Sequence, residues 1–474
     1  MRVSLRFKVL ALVALVALAS AGVTALVAYV GGRDSMQTAA YDQLTAVRET
    51  KADHVEDYFW GIRNHLQSLS QDPTIIDAMR DLVFWYEISG QNLDTETQER
   101  VDAELLRYYR REFVPRLDAT AQAGYEPEDF LPVDPAVRAQ QHRYIVDNPN
   151  PTGSKHLYDG PEDGAGYDRL HATFQPLMRD ILELFGYYDV FLIDADSGAI
   201  VYSVFKEVDY ATSLLDGPYQ DSGLAQAFRA ARDSGNPAFV RHGDFSAYEP
   251  SYGAPASFMA SPIADENGDT IGVLAFQMPV DRINEIMTSG QDWAEVGLGE
   301  SGETYLVADD FTLRSESRFL IEDKTAYLAA IEAAGLPAET VATIDRLDSA
   351  IGLQVVDTPG TNAAQQGRTG TDTFDDYRDV QVLSAYRPLR IPDVDWVIMS
   401  EIDEEEAFRP VNEFGRQALV ALLVVAAIVI IIAIWFSSRL VRPVNRLAES
   451  ASAIAAGDLE SDVDTSGSDE IGDL

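Results

Sequence analysis

Two long apolar segments near the ends of the chain restrict the folds that it can adopt. Residues 9–30 carry no charged side chain, and residues 416–436 carry only the charge of Arg416. Each segment can cross the roughly 30 Å hydrocarbon core of a bilayer as a helix. A cleaved signal peptide is the alternative for the first segment, but its length and the presence of a second segment favour a span. The sequence therefore predicts two transmembrane helices.

Basic residues lie on the same side of both predicted spans. Residues 1–8 contain Arg2, Arg6 and Lys8, and the second span is followed by Arg439 and Arg442. Because basic residues stay on the cytoplasmic side of a membrane, we expect both termini in the cytoplasm. Residues 31–415 would then form an extracellular or periplasmic domain of a multi-pass protein of the plasma (inner) membrane.

The charge of the chain excludes some classes of partner. Asp and Glu number 77 against 36 Lys and Arg, which gives a net charge of −41 over 474 residues. Nucleic acid is an unsuitable partner, because its phosphates require a basic surface. The acidic excess is explained either by adaptation of the surface to salt or by binding of cations. The chain has no cysteine, so it contains neither disulfides nor thiolate metal sites.

The region between the spans changes from helical to strand patterns along the chain. Residues 35–71 have apolar residues at helical spacing, and Asp72 and Pro73 end the pattern. Two hairpins follow at 188–206 and 257–278, with turns at residues 196–198 and 267–268. A hairpin at 302–315 and a strand, turn and strand at 379–403 repeat this arrangement nearer to the second span. We infer two modules of similar architecture.

The order of these elements between two spans resembles the double-Cache family of bacterial extracellular sensor domains. The resemblance covers roughly residues 35–410 and is carried by segments such as "DVFLIDADSGAIVYS", "IGVLAFQM" and "WVIMSEID". It implies an α+β fold, with a membrane-anchored long helix and two stacked PAS-like modules. The distal module would span about 180–285 and the proximal module about 290–405. In this family the distal module usually binds the ligand.

Residues 437–474 resemble a HAMP domain. Pro443 lies near the start of this segment, and Val444, Leu447, Ala451 and Ile454 have the a/d spacing of a parallel coiled coil. The final residues "DEIGDL" have the character of a helix start rather than a helix end. A juxtamembrane helix without a signalling role is the alternative. We expect an incomplete HAMP domain that forms a homodimer, with an output domain beyond Leu474.

No catalytic motif is recognisable in the sequence. The nucleophile elbow, the zinc-protease helix and the phosphate-binding loop are all missing, and the six histidines show no tight metal spacing. We therefore expect no metal, no cofactor and no enzymatic activity in this fragment. A missing C-terminal domain could nevertheless be catalytic.

The resemblance implies a ligand site between the segments 202–213 and 242–258. These segments and the last distal strand supply the candidate ligand-binding residues Tyr202, Lys206, Tyr210, Asp244, Tyr248, Tyr252, Phe258 and Gln277. Aromatic walls with a few polar groups suit a small molecule. Gln277 occupies the position where amino-acid sensors of the family carry an aspartate, and a neutral amide cannot replace that charge. An ordinary amino acid is therefore disfavoured, and carboxylates, amines, purines and peptides remain open.

These features together predict a transmembrane signal-transduction receptor. We favour the methyl-accepting chemotaxis type, which would act on a chemotaxis kinase and its adaptor through the missing C-terminal region. A sensor histidine kinase, or a diguanylate, guanylate or adenylate cyclase, can have the same N-terminal half. A surface adhesion protein without a signalling module is the alternative from another class.

Overall fold

The computed structural model describes residues 5–89, 93–121, 124–161 and 164–436, with 448–449, 451–453 and 455–456. Of the predicted HAMP positions, Pro443, Val444, Leu447 and Ile454 lie outside these residues, so the coiled coil stays a prediction. The chain divides into two compact units, Tyr41–Asp403 and Met1–Ala40 with Glu404–Leu474.

One helix, α1, extends from Leu5 to Ser70. It ends where the sequence predicts, because Asp72 caps the next helix: its carboxylate accepts a 2.8 Å hydrogen bond from the backbone N–H of Thr74. Pro73 is the first residue of that helix, α2 (Pro73–Ile88), a position that needs no backbone N–H.

The described residues between α2 and the first sheet form four α-helices. They are α3 (Thr95–Tyr108), α4 (Val114–Ala121), α5 (Pro135–Gln141) and α6 (Tyr167–Phe185). Helix α6 ends at Gly186, which has a φ of 72°, a conformation that glycine adopts without strain. Gln141 of α5 and Gln175 of α6 are buried, and Gln141 donates hydrogen bonds to the carbonyls of Val208 and Tyr210 in the loop after β2.

The distal module contains a five-stranded antiparallel sheet with the strand order β2-β1-β5-β4-β3. Its strands are β1 (Asp189–Asp194), β2 (Ile200–Ser203), β3 (Arg241–Tyr248), β4 (Ala254–Ala264) and β5 (Thr270–Met278). Helix α7 (Gly223–Arg232) precedes β3, and α8 (Val280–Thr288) follows β5. Both predicted hairpins, β1-β2 and β4-β5, are confirmed.

Strand β1 is buried on both faces of this sheet. Val190 and Leu192 belong to a core that includes Phe59 of α1, whereas Phe191 packs into a second core with Phe228 of α7. This division follows from the alternation of side chains along a strand. The sheet is therefore covered by α1 on one face and by α7 on the other.

Strand β3 was not among the predicted strands, since the segment 242–258 was given only as one side of the ligand site. The structure instead has an edge strand, a short turn at Glu249–Ser251 and the start of β4. The sequence "RHGDFSAY" contains no β-branched residue, and its Gly243 and Asp244 are of types depleted in strands, so its composition signals a strand only weakly.

The proximal module contains a four-stranded antiparallel sheet with the order β6-β9-β8-β7. Its strands are β6 (Glu303–Val307), β7 (Gly370–Asp375), β8 (Gln381–Pro388) and β9 (Val397–Asp403). Four helices lie between β6 and β7, namely α9 (Arg318–Glu322), α10 (Lys324–Ala333), α11 (Ala338–Leu347) and α12 (Pro359–Gln365).

The prediction for 379–403 is confirmed by the β8-β9 pair. The hairpin predicted at 302–315 is only partly right. Its second half makes a single bridge, from Leu313 to Val307, and β6 pairs along its length with β9 instead. The chain turns at Phe311 with a φ of 61°, and Leu313 also accepts a hydrogen bond from Gly352, so the segment leaves the sheet.

The second unit consists of the N-terminal part of α1 and the helix α13 (Glu404–Phe436). Both helices are long and apolar enough to cross a membrane, judged by length and composition alone. They lie side by side: the hydroxyl of Tyr29 donates a 3.1 Å hydrogen bond to the side-chain oxygen of Asn412. The guanidinium of Arg33 lies 4.2 Å from the ring centroid of Phe408 and also pairs with Glu404.

Candidate ligand site

The loop after β2 carries a fully buried carboxylate, Asp209, with one unsatisfied oxygen. Its Oδ2 accepts a hydrogen bond from the hydroxyl of Tyr248 in β3. Its Oδ1 has no hydrogen-bond partner in the part of the chain that the structure describes. Burial, with a further contribution from the Asp189 carboxylate, raises the pKa of Asp209 to about 7. A buried carboxylate of this kind needs an additional donor.

Two further polar atoms near Asp209 are buried and unsatisfied. The ring of Tyr219 lies 6.5 Å from that of Tyr248, and no described residue bonds to its hydroxyl. Burial raises the pKa of Tyr219 well above its usual range, and the charges of Tyr109 and Asp209 add to the shift. Gln277 in β5 donates from Nε2 to Ser251 Oγ at 3.1 Å, whereas its Oε1 has no partner among the described residues. We call Asp209, Tyr219, Tyr248 and Gln277 the distal cluster.

A small cavity of about 140 Å³ lies beside this loop and is lined by Glu207 and Tyr252, among others. The Glu207 carboxylate accepts hydrogen bonds from Tyr188 at 2.8 Å and from Ser251 at 2.7 Å. Burial, together with the charge of Asp209, raises the pKa of Glu207 well above its usual range. Because Ser251 also accepts from Gln277, the cavity is connected to the distal cluster by a chain of hydrogen bonds.

Three of the predicted ligand-binding residues are used in a buried hydrogen-bond network. Lys206 donates from Nζ to Gln175 Oε1 at 3.1 Å and to the carbonyl of Ser203. Tyr202 donates to the same oxygen of Gln175 at 2.6 Å, and Tyr210 donates to the hydroxyl of Tyr167 at 3.0 Å. Burial lowers the pKa of Lys206. These side chains support the sheet, and none has an unsatisfied polar atom for a ligand.

Asp244 and Phe258 complete the set of predicted residues. Phe258 is a core residue whose ring lies 4.9 Å from that of Tyr248, so it forms the wall behind the distal cluster. Asp244 lies apart from the cluster, because its carboxylate binds the guanidinium of Arg314 and the indole N–H of Trp396. The structure therefore brings together Tyr248, Gln277 and Phe258, and it places two further predicted residues, Lys206 and Tyr252, in the lining of the cavity.

Asp209, Glu207, Tyr219 and Ser251 were missed from the sequence. The stretch "VFKEVDY" did carry a signal, because two acidic residues in a largely apolar loop beside a predicted strand are costly to bury without a role. Tyr219 follows a Gly-Pro turn, and nothing in its local pattern distinguishes it from a core tyrosine.

The arrangement of two sheets after a long helix agrees with a match to a known family. The family model described as a Cache domain, dCache_1, matches residues 32–411. The chain belongs to the dCache_1 family. A second family model, the HAMP domain, matches residues 435–474. A Cache domain joined to HAMP characterises a transmembrane signal-transduction sensor, and this dCache_1 protein has that organisation.

Solved structures of sensor domains are similar at low identity. The ligand-binding domain of the Pseudomonas aeruginosa PAO1 amino acid chemoreceptor PctB in complex with L-Arg is 14% identical; the match covers 49% of this chain and 84% of that one, with a TM-score of 0.29. The ligand-binding domain of the Pseudomonas fluorescens chemoreceptor CtaA in complex with L-alanine is 13% identical. The match covers 64% of this chain and 99% of that one, with a TM-score of 0.30.

The sensor domain of the V. cholerae histidine kinase DctB is similar to the same degree. It is 14% identical, the match covers 65% of this chain and 98% of that one, and the TM-score is 0.30. No curated protein matches the chain.

Proposed function

We propose that this protein is a transmembrane receptor that binds a small extracellular molecule at the distal cluster and transmits the signal to its HAMP domain. The observation that carries the proposal is the set of three unsatisfied buried atoms: Asp209 Oδ1, the Tyr219 hydroxyl and Gln277 Oε1. Buried polar atoms in a folded protein nearly always have partners. A bound ligand supplies the missing hydrogen bonds.

The orientation proposed for the receptor places the Cache domain outside the cell. It rests on the basic residues before the first apolar segment and after the second. HAMP domains signal as dimers, and one copy supplies two helices whose apolar faces need partners. We therefore propose a homodimer.

Two contacts offer a route from the distal cluster to α13. The strand β3 carries both Tyr248, which binds Asp209, and Asp244, which binds Trp396 at 3.0 Å. Trp396 immediately precedes β9, and β9 ends at Asp403, the residue before α13. A ligand that shifts β3 would thereby bias β9 between two packed positions. A ligand can shift this equilibrium only if it binds the two states of the receptor, which differ in the position of β9, with different affinities.

For the output we propose the methyl-accepting chemotaxis type, with a chemotaxis kinase and an adaptor as cytoplasmic partners. Double-Cache receptors with HAMP commonly have this output, whereas a receptor with its own kinase domain would not need those partners. The test is to isolate the native full-length product from host membranes. Co-purification of a separate kinase and adaptor supports the chemotaxis type, and autophosphorylation of the purified receptor with ATP contradicts it.

The ligand site is tested by thermal-shift screening of the chain in lipid nanodiscs against small metabolites. A compound that binds at the distal cluster raises the unfolding temperature. Tyr219→Phe removes one unsatisfied hydroxyl without changing the ring, and it should weaken binding about fivefold or more. Tyr327→Phe removes a hydroxyl from a buried tyrosine of the proximal module and is the matched control. Equal weakening by both variants would contradict the proposed site.

A further inference from the structure

A large cavity lies along the edge strand β2, apart from the distal cluster. Its volume is about 990 Å³, within the range of ligand pockets. The walls are the C-terminal end of α2, the segment 128–140, the turn after β1 and the segment 211–218. None of the four residues of the distal cluster lines it, so this cavity can hold a second molecule.

The described charged residues in the walls of this cavity are all acidic. Seven of the described residues that line it are acidic, and none of them is lysine, arginine or histidine. Six of the seven are exposed, and for two of these, Asp196 and Asp216, the carboxylate has no partner in the part of the chain that the structure describes. Others are engaged: Glu128 makes a 3.5 Å contact with Arg110, and Asp134 caps α5. A concave surface of this kind concentrates cations.

A buried amide in the wall also lacks a partner. Gln140 is 3% exposed, and its Nε2 donates to the hydroxyl of Ser89, which lines the same cavity. Its Oε1 accepts no hydrogen bond from any described residue. The acidic composition of the whole protein accounts for acidic walls, but it does not account for an unsatisfied neutral oxygen beneath them. A ligand with an N–H group would satisfy that oxygen.

The remainder of the lining is aliphatic. Val83, Leu131, Val137, Val201 and Leu215 all contribute to it. Aliphatic side chains offer no donor atom to a metal ion. The described residues also contain no group of three or more His, Cys, Asp or Glu that could hold one. A molecule with methylene segments between positive charges matches both the aliphatic and the acidic parts.

We propose that this cavity is a second ligand site, for an aliphatic diamine or polyamine. The ammonium groups bind the carboxylates of Asp196 and Asp216, one N–H group donates to Gln140 Oε1, and the methylene segments contact the aliphatic wall. The segment 211–218 follows directly after Asp209 in the chain, so occupation of the cavity restrains the loop that carries the distal cluster.

The test measures binding of spermidine, putrescine and Mg²⁺ to the whole chain in nanodiscs by calorimetry. Spermidine should bind more tightly than putrescine because it carries one more charge, and its affinity should fall with salt. Asp196→Asn with Asp216→Asn should weaken spermidine binding at least fivefold. Asp180→Asn with Asp221→Asn, which changes two exposed carboxylates outside the cavity, should change it less than twofold. Gln140→Met should also weaken binding.

Three results would overturn this proposal. Absence of spermidine binding is the first, and equal weakening by both double variants is the second, because it would indicate attraction to the acidic surface in general. The third is loss of spermidine binding in Tyr219→Phe, which would place the amine at the distal cluster. Tight Mg²⁺ binding that is lost in Asp196→Asn with Asp216→Asn would identify a metal site and equally contradict an amine site.

Discussion

Asp244 and Arg314 form a bidentate ion pair that connects strand β3 of the distal module to the proximal module. The Asp244 carboxylate accepts hydrogen bonds of 2.9 Å from both Nε and Nη2 of Arg314. Arg314 is 3% exposed, and Asp310 also contacts it at 3.0 Å. Since Trp396 binds the same carboxylate, one side chain of β3 holds two segments of the proximal module.

Removal of this carboxylate should destabilise the protein. Asp244→Ala leaves a nearly buried guanidinium without its main partner and the Trp396 N–H without an acceptor. We expect a loss of about 2–4 kcal/mol in the free energy of unfolding, because an unpaired buried charge is costly. Denaturant unfolding followed by tryptophan fluorescence measures it. Asp233→Ala, which breaks an exposed ion pair with Arg232, is the control and should cost under about 1 kcal/mol. Similar losses for the two variants would contradict the prediction.

The raised pKa of Asp209 gives a pH dependence with a definite sign. Since the pKa is about 7 in the folded protein and 3.8 in the unfolded reference, the folded state binds the proton more tightly. The contribution of Asp209 to stability therefore falls as the pH rises from about 4 to about 7, by up to roughly 1.4 kcal/mol per pH unit. Above about pH 7 it no longer changes with pH.

Asp209→Asn removes this contribution, so the variant should gain stability over the parent as the pH increases from 5 to 7.5. The measurement is the unfolding temperature of both proteins at several pH values in that window. Buried carboxylates that do not interact with Asp209 cancel in the difference, whereas Asp189 and Glu207, whose charges interact with that of Asp209, change it in the same direction. A difference that does not change with pH would show that Asp209 does not titrate in this range.

Lys206 should prove structural and not ligand-binding. Lys206→Ala removes the donor to Ser203 and one of two donors to Gln175, and it leaves a cavity beneath Tyr202. We expect a loss of about 2–4 kcal/mol in stability. Lys324→Ala, which removes a half-buried lysine that pairs with Asp345 and Asp348, is the control. The contrary result is a Lys206→Ala variant that unfolds like the parent but no longer binds a ligand of the distal cluster. It would show that Lys206 belongs to the ligand site, as the sequence predicted, and that the structural role assigned to it here is wrong.

The sequence was informative about the fold and less so about the site. Hairpins such as β1-β2 follow from two short apolar runs around a Gly-containing turn, and Asp72-Pro73 marks a helix boundary by local chemistry alone. Strand β3 depends on pairing with β4, a non-local contact that its polar composition does not signal. Likewise, Lys206 and Asp244 have the residue types of a binding site, but their partners Gln175, Arg314 and Trp396 come from distant segments. Burial without a partner, which identifies Asp209, is visible only in three dimensions.

The topology of the chain is open to a direct test. Protease added to intact spheroplasts should digest the region 31–415 and leave a tag at the C-terminus intact, because both termini are expected in the cytoplasm. Permeabilised cells provide the control in which the tag is digested. Loss of the tag in intact spheroplasts would reverse the orientation.

The central claim is that occupation of the distal cluster shifts α13 against α1, and crosslinking between these helices tests it most directly. A Cβ added at Gly32 would lie 3.1 Å from Val411 Cγ2, so cysteines at these two positions can form a disulfide. The chain has no other cysteine. In membranes, a compound whose binding depends on Tyr219 should change the rate of intramolecular disulfide formation in Gly32→Cys with Val411→Cys. It should have no effect when Asp209→Asn is added. An unchanged rate at saturating compound in the parent background would contradict the account.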